Sequence, residues 1–267
     1  MELQVIKNKL DLIFDNYSNV SETAEIAKRG YLFSELIKKA VLFVGINPSF
    51  QEETQSIRDS FRFEDALIGY KKYFQPYEDL CSNTKIKDDF TYIDLLFLRE
   101  TNQKVIDGKL SKHTQWVEFI AEQLRISQKR IEAIKRKLIV VCNAGAGKFL
   151  GAEKIGNSDE ADNVWMGYNF EFDRVFGVNV ISGVHNNSIM TGEKETTLYG
   201  TPVIFTGYLK YLSSSTKKTL GWQIDNVLEN CSNYFGDRYS LENEAVAKKK
   251  IMAIFHNRYL KKHPSSR

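Results

Sequence analysis

An apolar run, Val41-Leu-Phe-Val-Gly45, delivers the chain into Ile46-Asn47-Pro48-Ser49, a loop whose chemistry is that of one amide. An amide donates and accepts hydrogen bonds, so it can orient a water without being a strong base. Asn and Pro are also ordinary turn formers, and the same residues equally describe a plain strand end. A second candidate is Lys137-Leu-Ile-Val-Val-Cys-Asn-Ala-Gly-Ala-Gly-Lys-Phe-Leu150, an apolar run closed by small residues. It fits neither nucleotide template: a phosphate loop needs Gly where Cys142 stands and Ser or Thr where Phe149 stands, and the dinucleotide fingerprint needs Gly or Ala where Leu150 stands. The sequence contains no Gly-x-Ser-x-Gly elbow and no cluster with metal-ligand spacing, which argues against a general hydrolase. Cys81, Cys142 and Cys231 are far apart and odd in number, against both a disulfide framework and a CxxC metal site.

These candidates need strands to position them. Val41–Gly45 has the continuous apolar character of a buried parallel strand. Further strands are expected at 90–98, 137–142, 178–182 and 202–206, each bounded by glycine or polar residues. Helical spacing marks the amino-terminal segment, with Leu10, Ile13 and Phe14 on one side, and the segment 116–135, with Trp116, Phe119, Ile120 and Leu124 on one face. Strands alternating with helices predict an α/β fold whose parallel sheet is covered on both faces, with the ligand site at the carboxyl ends of the strands. Three loops are thereby selected: 46–50, 99–103 and 206–215.

The chain has 267 residues, 42% hydrophobic and 27% charged, enough for one globular domain over 1–267. Segment 51–89 is long for a connection and reads as an insertion. It interleaves Phe61, Phe63, Tyr70, Tyr73, Phe74 and Tyr77 with Arg58, Arg62, Lys71 and Lys72, a composition that suits either base stacking and phosphate contact or the core of a helical subdomain. The net charge of +3 confines phosphate contacts to local patches. A basic tail with Lys261, Lys262 and Arg267 ends the chain. Glu2, Lys7, Lys9 and Asp11 interrupt the first apolar stretch, unlike a signal peptide, and no segment is apolar enough to span a bilayer, so a cytoplasmic protein is expected.

The segment 41–49 resembles the first signature of the uracil-DNA glycosylase superfamily, most closely the Gly-Ile-Asn-Pro form of the mismatch-specific uracil and thymine glycosylases. The resemblance extends, in the order of elements, over about 36–220. It implies a three-layer α/β/α sandwich around a mainly parallel four-stranded sheet, DNA as partner, a monomer, and no cofactor, metal or iron–sulfur cluster. It also implies that Asn47 positions the hydrolytic water while Gly45, Ile46, Pro48 and Ser49 shape the pocket of an extruded base. Such chemistry is physically coherent, because the glycosidic bond breaks through an oxocarbenium-like sugar that needs a held water and a stabilised leaving base. No carboxylate stands where the fast uracil-specific members carry one, which implies slower chemistry. The turn at Asn143 falls where the family has its central strand and turn.

The last signature, usually His-Pro-Ser, corresponds here to Thr206, Gly207 and the residues after them. The resemblance makes Tyr208 and Leu209 the candidates to wedge the DNA stack, and Lys210, Ser213, Lys217 and Lys218 the candidates for phosphates. With the histidine absent, Thr206 offers only a neutral hydroxyl. His185 either compensates from a neighbouring loop or is structural. At the strand whose end offers an Asn to the flipped base, Arg99 takes the corresponding place; it either presents donors to an acceptor-rich base or faces outward. No motif lysine suggests a lyase, so the expected product is an abasic site. The expected activity is a monofunctional DNA glycosylase acting on uracil, a mispaired or deaminated base in repair, or a bulky modified pyrimidine of phage DNA in defence. A non-catalytic DNA-binding module on the same fold is the alternative.

Overall fold

The computed structural model describes residues 2–50, 56–134, 136–152, 165–184 and 196–231. His185 and the basic tail at 248–267 lie outside the described residues, as does the side chain of Cys231. The chain begins with α1 (Leu3–Tyr17), α2 (Ala24–Ala27), β1 (Gly30–Ser34) and β2 (Val41–Gly45). The long segment after the motif then forms β3 (Ile57–Phe61), α3 (Phe63–Gly69) and α4 (Lys71–Ser82). There follow β4 (Phe90–Asp94), α5 (Gln103–Leu110), α6 (Thr114–Glu132), β5 (Leu138–Val141) and α7 (Ala144–Leu150). The last part contains β6 (Tyr168–Asp173), β7 (Val178–Val184), β8 (Pro202–Phe205), a 3-10 turn (Leu209–Tyr211) and α8 (Ser214–Cys231).

The expectation of an α/β fold holds at that level, but the sheet is larger and mixed. Six strands stand in the order β4-β2-β5-β8-β7-β6. β4, β2, β5 and β8 run parallel, whereas β7 and β6 pair antiparallel at one edge. A separate two-stranded parallel sheet joins β1 to β3. Alternation along the central strands divides the core in two. Leu42, Val44, Ile139 and Val141 pack with α1, α6 and α7, and Val41, Phe43, Leu138 and Val140 pack with α4 and α8. α1 buries Ile6, Leu10, Ile13, Phe14 and Tyr17, a stripe at helical spacing, and α6 buries Trp116, Phe119, Ile120 and Leu124.

β2 lies between β4 and β5: the connection from β2 runs outward to β4, and the connection from β4 returns past β2 to β5, so the direction of winding reverses between β2 and β5. A parallel sheet opens a crevice at such a point, beyond the carboxyl ends of the strands. The residues after Gly45 and after Asp94 meet beyond the carboxyl ends of their strands. β4 ends at Asp94, four residues before the expected Leu98. Residues 95–98 are apolar because they are buried in the core, not because they are pleated. α6 holds them from beneath: Gln123 Oε1 accepts the backbone N–H groups of Phe97 and Leu98, each at 2.9 Å, and the Ser127 hydroxyl donates to the Leu95 carbonyl at 2.6 Å.

Gln123 is fully buried, so replacing it with leucine strips two buried N–H groups of their acceptor. We expect Gln123→Leu to destabilise the protein by about 2–4 kcal/mol in denaturant unfolding. A change below roughly 0.5 kcal/mol, the ordinary range of surface substitutions, would mean that the loop after β4 does not depend on this side chain.

Candidate functional site

The loop that follows β2 is stitched to the loop that follows β4. Leu95 and Leu96 donate their N–H groups to the carbonyls of Gly45 (3.2 Å) and Ile46 (2.8 Å), and Glu100 donates its N–H to the Pro48 carbonyl at 3.0 Å. The Thr101 hydroxyl donates to the Phe50 carbonyl at 2.6 Å and accepts the Phe50 N–H at 3.1 Å. Asn47 sits inside this seam, 6% exposed. Its amide nitrogen donates to the Glu100 carbonyl at 2.6 Å and to the Pro48 carbonyl at 2.9 Å. The orientation of the amide is thus fixed through its nitrogen, and no described residue donates to its Oδ1. That oxygen is also absent from the sealed, unpartnered polar atoms, so it is an acceptor open to solvent.

Beside the seam lies a cavity of about 480 Å³. Pro48, Ser49, Asp94 and Arg99 line it from the sheet side, and α3 and α4 close it from above with Tyr70, Lys71, Lys72 and Tyr73 among others. The insertion therefore splits its aromatic residues between two tasks. Phe63, Phe74 and Tyr77 are core, with Phe74 and Tyr77 packed at 5.1 and 5.2 Å from the Tyr92 ring, while Tyr70, 53% exposed, stands at the mouth.

Asp94 is the site residue that the sequence reading passed over. It ends β4 opposite Gly45, 6% exposed. The Tyr92 hydroxyl donates to its Oδ1 at 2.6 Å, and with that proton committed, Tyr73 is left to donate to Tyr92 across 3.1 Å. Burial pushes the Asp94 carboxyl up to about 7, against the opposing effects of the Tyr92 hydrogen bond and the buried Arg130 cation. Burial also holds the Tyr92 phenol well above its ordinary range, so it remains a donor. The Tyr92–Asp94 pair crosses directly over Gly45. A methyl group there would lie 2.0 Å from Tyr92 Oη and 2.5 Å from Asp94 Oδ1, so the motif glycine is needed for close approach and not for its backbone angles. A carboxylate closing an otherwise apolar strand was the available signal.

Arg99 is 3% exposed and faces inward: it lines the cavity, donates to the Arg29 carbonyl at 3.2 Å, and burial lowers its guanidinium's affinity for the proton. The Phe50 ring lies under two guanidinium groups, Arg29 at 4.3 Å and Arg99 at 5.3 Å. Arg29 also pairs with Glu100 at 2.8 Å, which secures the residue that holds Asn47.

The other expected site residues are more dispersed. Asn143 caps α7, its Oδ1 accepting the N–H groups of Gly145 (2.7 Å) and Ala146 (3.4 Å). Gly145 leaves room for Ile46, whose Cδ1 would stand 2.7 Å from an added methyl. Thr206, half-buried, continues from β8 and donates its N–H to Val141 at 2.8 Å. Leu209, an expected wedge, is fully buried and packed into the core beside α4. The large side chain presented there is Tyr211, 81% exposed, which meets Tyr208 at 5.3 Å; Tyr208 in turn lies 5.5 Å from Tyr73. Gly207, Lys210, Ser213 and Lys218 are exposed, Lys217 is half-buried, and the Ser213 hydroxyl accepts the Thr216 N–H at 3.1 Å at the start of α8.

Among the described residues there is no group of three or more potential metal ligands, and no helix long and apolar enough to cross a membrane. Comparison of the chain with protein-family models, with curated proteins and with solved structures gives no match.

The Asp94 carboxyl titrates near 3.8 when unconstrained and near 7 when folded, so over that interval the folded chain holds a proton that the unfolded chain has released. Its contribution to stability is full below 3.8, declines as pH rises toward 7 and is constant above. We expect Asp94→Asn, which cannot ionise, to gain on wild type by up to about 1 kcal/mol per pH unit across that window and to level off beyond it. Thermal unfolding of both proteins between pH 4 and 8.5 measures the difference. A pH-independent difference would place the carboxyl at its ordinary value.

Proposed function

We propose that the protein is a monofunctional DNA glycosylase: it takes an extruded base into the cavity beside Pro48 and Ser49, and Asn47 holds the water that attacks the sugar. The observation that carries this reading is the fixed amide of Asn47. Its nitrogen is anchored to two backbone carbonyls while its Oδ1 is an open acceptor, one residue before the start of the cavity wall. An acceptor held in that way directs a water's lone pair outward, which is what hydrolysis of an oxocarbenium-like sugar requires. The parallel order β4-β2-β5-β8 with helices on both faces supports the three-layer glycosylase-like arrangement. So does the position of the resembling motif at the end of β2.

The surroundings suit DNA. Tyr208, Tyr211 and Lys210 project beside the cavity's α4 wall, and the amino end of α8 offers exposed hydroxyls of Ser213 and Ser215 with Lys217 and Lys218 nearby. Backbone N–H groups at a helix start attract phosphate, and an aromatic side chain can occupy a vacated stack. Arg99 supplies positive charge to a departing base anion, the service for which the missing motif histidine would otherwise be needed. A cavity of about 480 Å³ falls in the range that engulfs drug-sized ligands, which favours a substituted base over bare uracil.

The test compares wild type with Asn47→Ala on DNA carrying uracil, mismatched thymine, hypoxanthine or modified cytosines, reading abasic sites by alkaline cleavage and binding by gel shift. The expected result is release by wild type and a loss of about a hundredfold or more in the variant, with DNA binding kept. Binding without release from any of these DNAs would overturn the proposal and leave a DNA-binding module.

A further inference from the structure

The tip where α3 hands over to α4 is built against the preferences of its own helices. It runs from Ile68 to Lys72, and all five residues are exposed and line the mouth of the cavity, Ile68 at 83% and Tyr70 at 53% exposure. Lys71 and Lys72 open α4 while Glu78 and Asp79 lie toward its end, the reverse of the order that a helix dipole favours. On α3 the acids Glu64 and Asp65 stand in the first turn, at the far end from the tip. Positive charge thus collects at the rim of the cavity and negative charge away from it. Among the described residues neither lysine has an acidic partner. The tip is nevertheless firmly held: Tyr70 donates its N–H to the Ala66 carbonyl at 2.8 Å, and its own carbonyl accepts the N–H groups of Tyr73 and Phe74 at 2.9 and 3.2 Å. Phe74 is buried against the rings of Phe63 at 5.3 Å and Tyr92 at 5.1 Å. A projection fixed in this way loses little conformational entropy when something covers it.

Resting on the glycosylase reading, we propose that the tip from Ile68 to Lys72 is a second DNA-contacting surface: Lys71 and Lys72 hold phosphates of the strand that carries the extruded nucleotide, and Ile68 and Tyr70 cover the base exposed beside the gap. A strand that delivers a base into the cavity has to cross the rim of that cavity, with its phosphates on either side of the extruded nucleotide. Large apolar side chains beside two cations match such a distorted strand, which shows the face of an unstacked base next to its phosphates. An acidic protein surface would satisfy the lysines but gives no reason for their place on the rim. Tyr73, in the first turn of α4, lies 5.5 Å from Tyr208, which meets the 81% exposed Tyr211 at 5.3 Å. The α3–α4 tip and the 3-10 turn therefore share one aromatic base, and the strand is approached from two sides.

Fluorescence anisotropy with a duplex that carries a tetrahydrofuran abasic analogue, and with the intact duplex, measures binding from about 50 to about 200 mM salt without any turnover. The double variant Lys71→Gln/Lys72→Gln should flatten the dependence of log Kd on log salt by about 1.5, close to one counterion for each lost phosphate contact. Lys129→Gln/Lys137→Gln makes the same charge change on exposed residues outside the cavity wall and should keep the wild-type slope. Ile68→Ser should weaken binding to the tetrahydrofuran duplex by about tenfold and to the intact duplex by less than about twofold, because only the first offers a base face to cover. All the substituted side chains are exposed, so the core is left intact. A slope moved equally by both double variants or by neither, or an Ile68→Ser effect that does not distinguish the two duplexes, overturns the tip contact and leaves the glycosylase standing where wild type releases a base. The expected changes in slope and affinity, with no release from any DNA, overturn the glycosylase and leave the surface. Binding to neither duplex overturns both.

Discussion

Beyond Gly45 the chain that carries the motif has no helix or strand of its own, and its shape is dictated by the neighbouring loop. Glu100 is the hub of that constraint. Its N–H holds Pro48, its carbonyl holds the amide of Asn47, and its carboxylate accepts the Asn102 N–H at 2.7 Å while pairing with Arg29. A buried backbone carbonyl must find a donor, and the Asn47 amide is the donor supplied. The orientation of the proposed water holder is therefore a by-product of satisfying the backbone of a different segment. The loop around Glu100 is in turn fixed by α6 through Gln123 and Ser127. Rigidity passes from a helix on the sheet's face to one amide in the crevice through hydrogen bonds that a displacement of even 1 Å would break.

A second constraint comes from placing a carboxyl beside the sheet. Asp94 and Tyr92 occupy alternate positions of one strand and share a face. Only a neighbour without a side chain lets their hydrogen bond form over β2, and Gly45 is that neighbour. Phe63, Phe74 and Tyr77 surround Tyr92 and keep water away from its ring, which is why the carboxyl titrates far above an exposed aspartate. The segment between β2 and β4 that forms this aromatic shell thus bears on the protonation of a group belonging to the sheet.

How much of this could be read from the sequence depends on how each segment is buried. Val41–Gly45, Leu138–Val141 and Pro202–Phe205 are covered on both sides, and a continuous apolar run announces them. Trp116, Phe119, Ile120 and Leu124 announce α6 by their spacing. β3, with the sequence Ile-Arg-Asp-Ser-Phe, carries charge because it is half-exposed and finds its partner β1 only in the folded chain, so no local pattern marks it. The four strands expected from the resemblance became six because β6 and β7 pair antiparallel at an edge, where β6 exposes Glu171 and Phe172 together and carries no continuous apolar run. Asn143 looks like a ligand in sequence because cap residues and ligands are the same residue types; only the open N–H groups of α7 distinguish them. Tyr208 and Leu209 were the side chains expected to project, and Tyr211 was passed over, because only the 3-10 turn shows that Leu209 enters the core while Tyr211 faces solvent.

The division of labour between frame and insertion has a consequence for what the site can distinguish. Asn47 and Glu100 are tied to loops that follow the central strands, so the orientation of the Asn47 amide varies little unless the sheet itself moves. Tyr70, Tyr73 and the two lysines beside them belong to short helices packed on that frame by aromatic contacts, which tolerate repacking at small energetic cost. Asp94 stands at the junction: its position comes from the sheet, and its protonation from the insertion. Substitutions in α3 and α4 can therefore reshape the cavity wall while the Asn47 amide keeps its orientation. A carboxyl poised near neutrality makes the wall sensitive to such changes, since small changes in burial alter whether it presents a donor or a pure acceptor to the cavity.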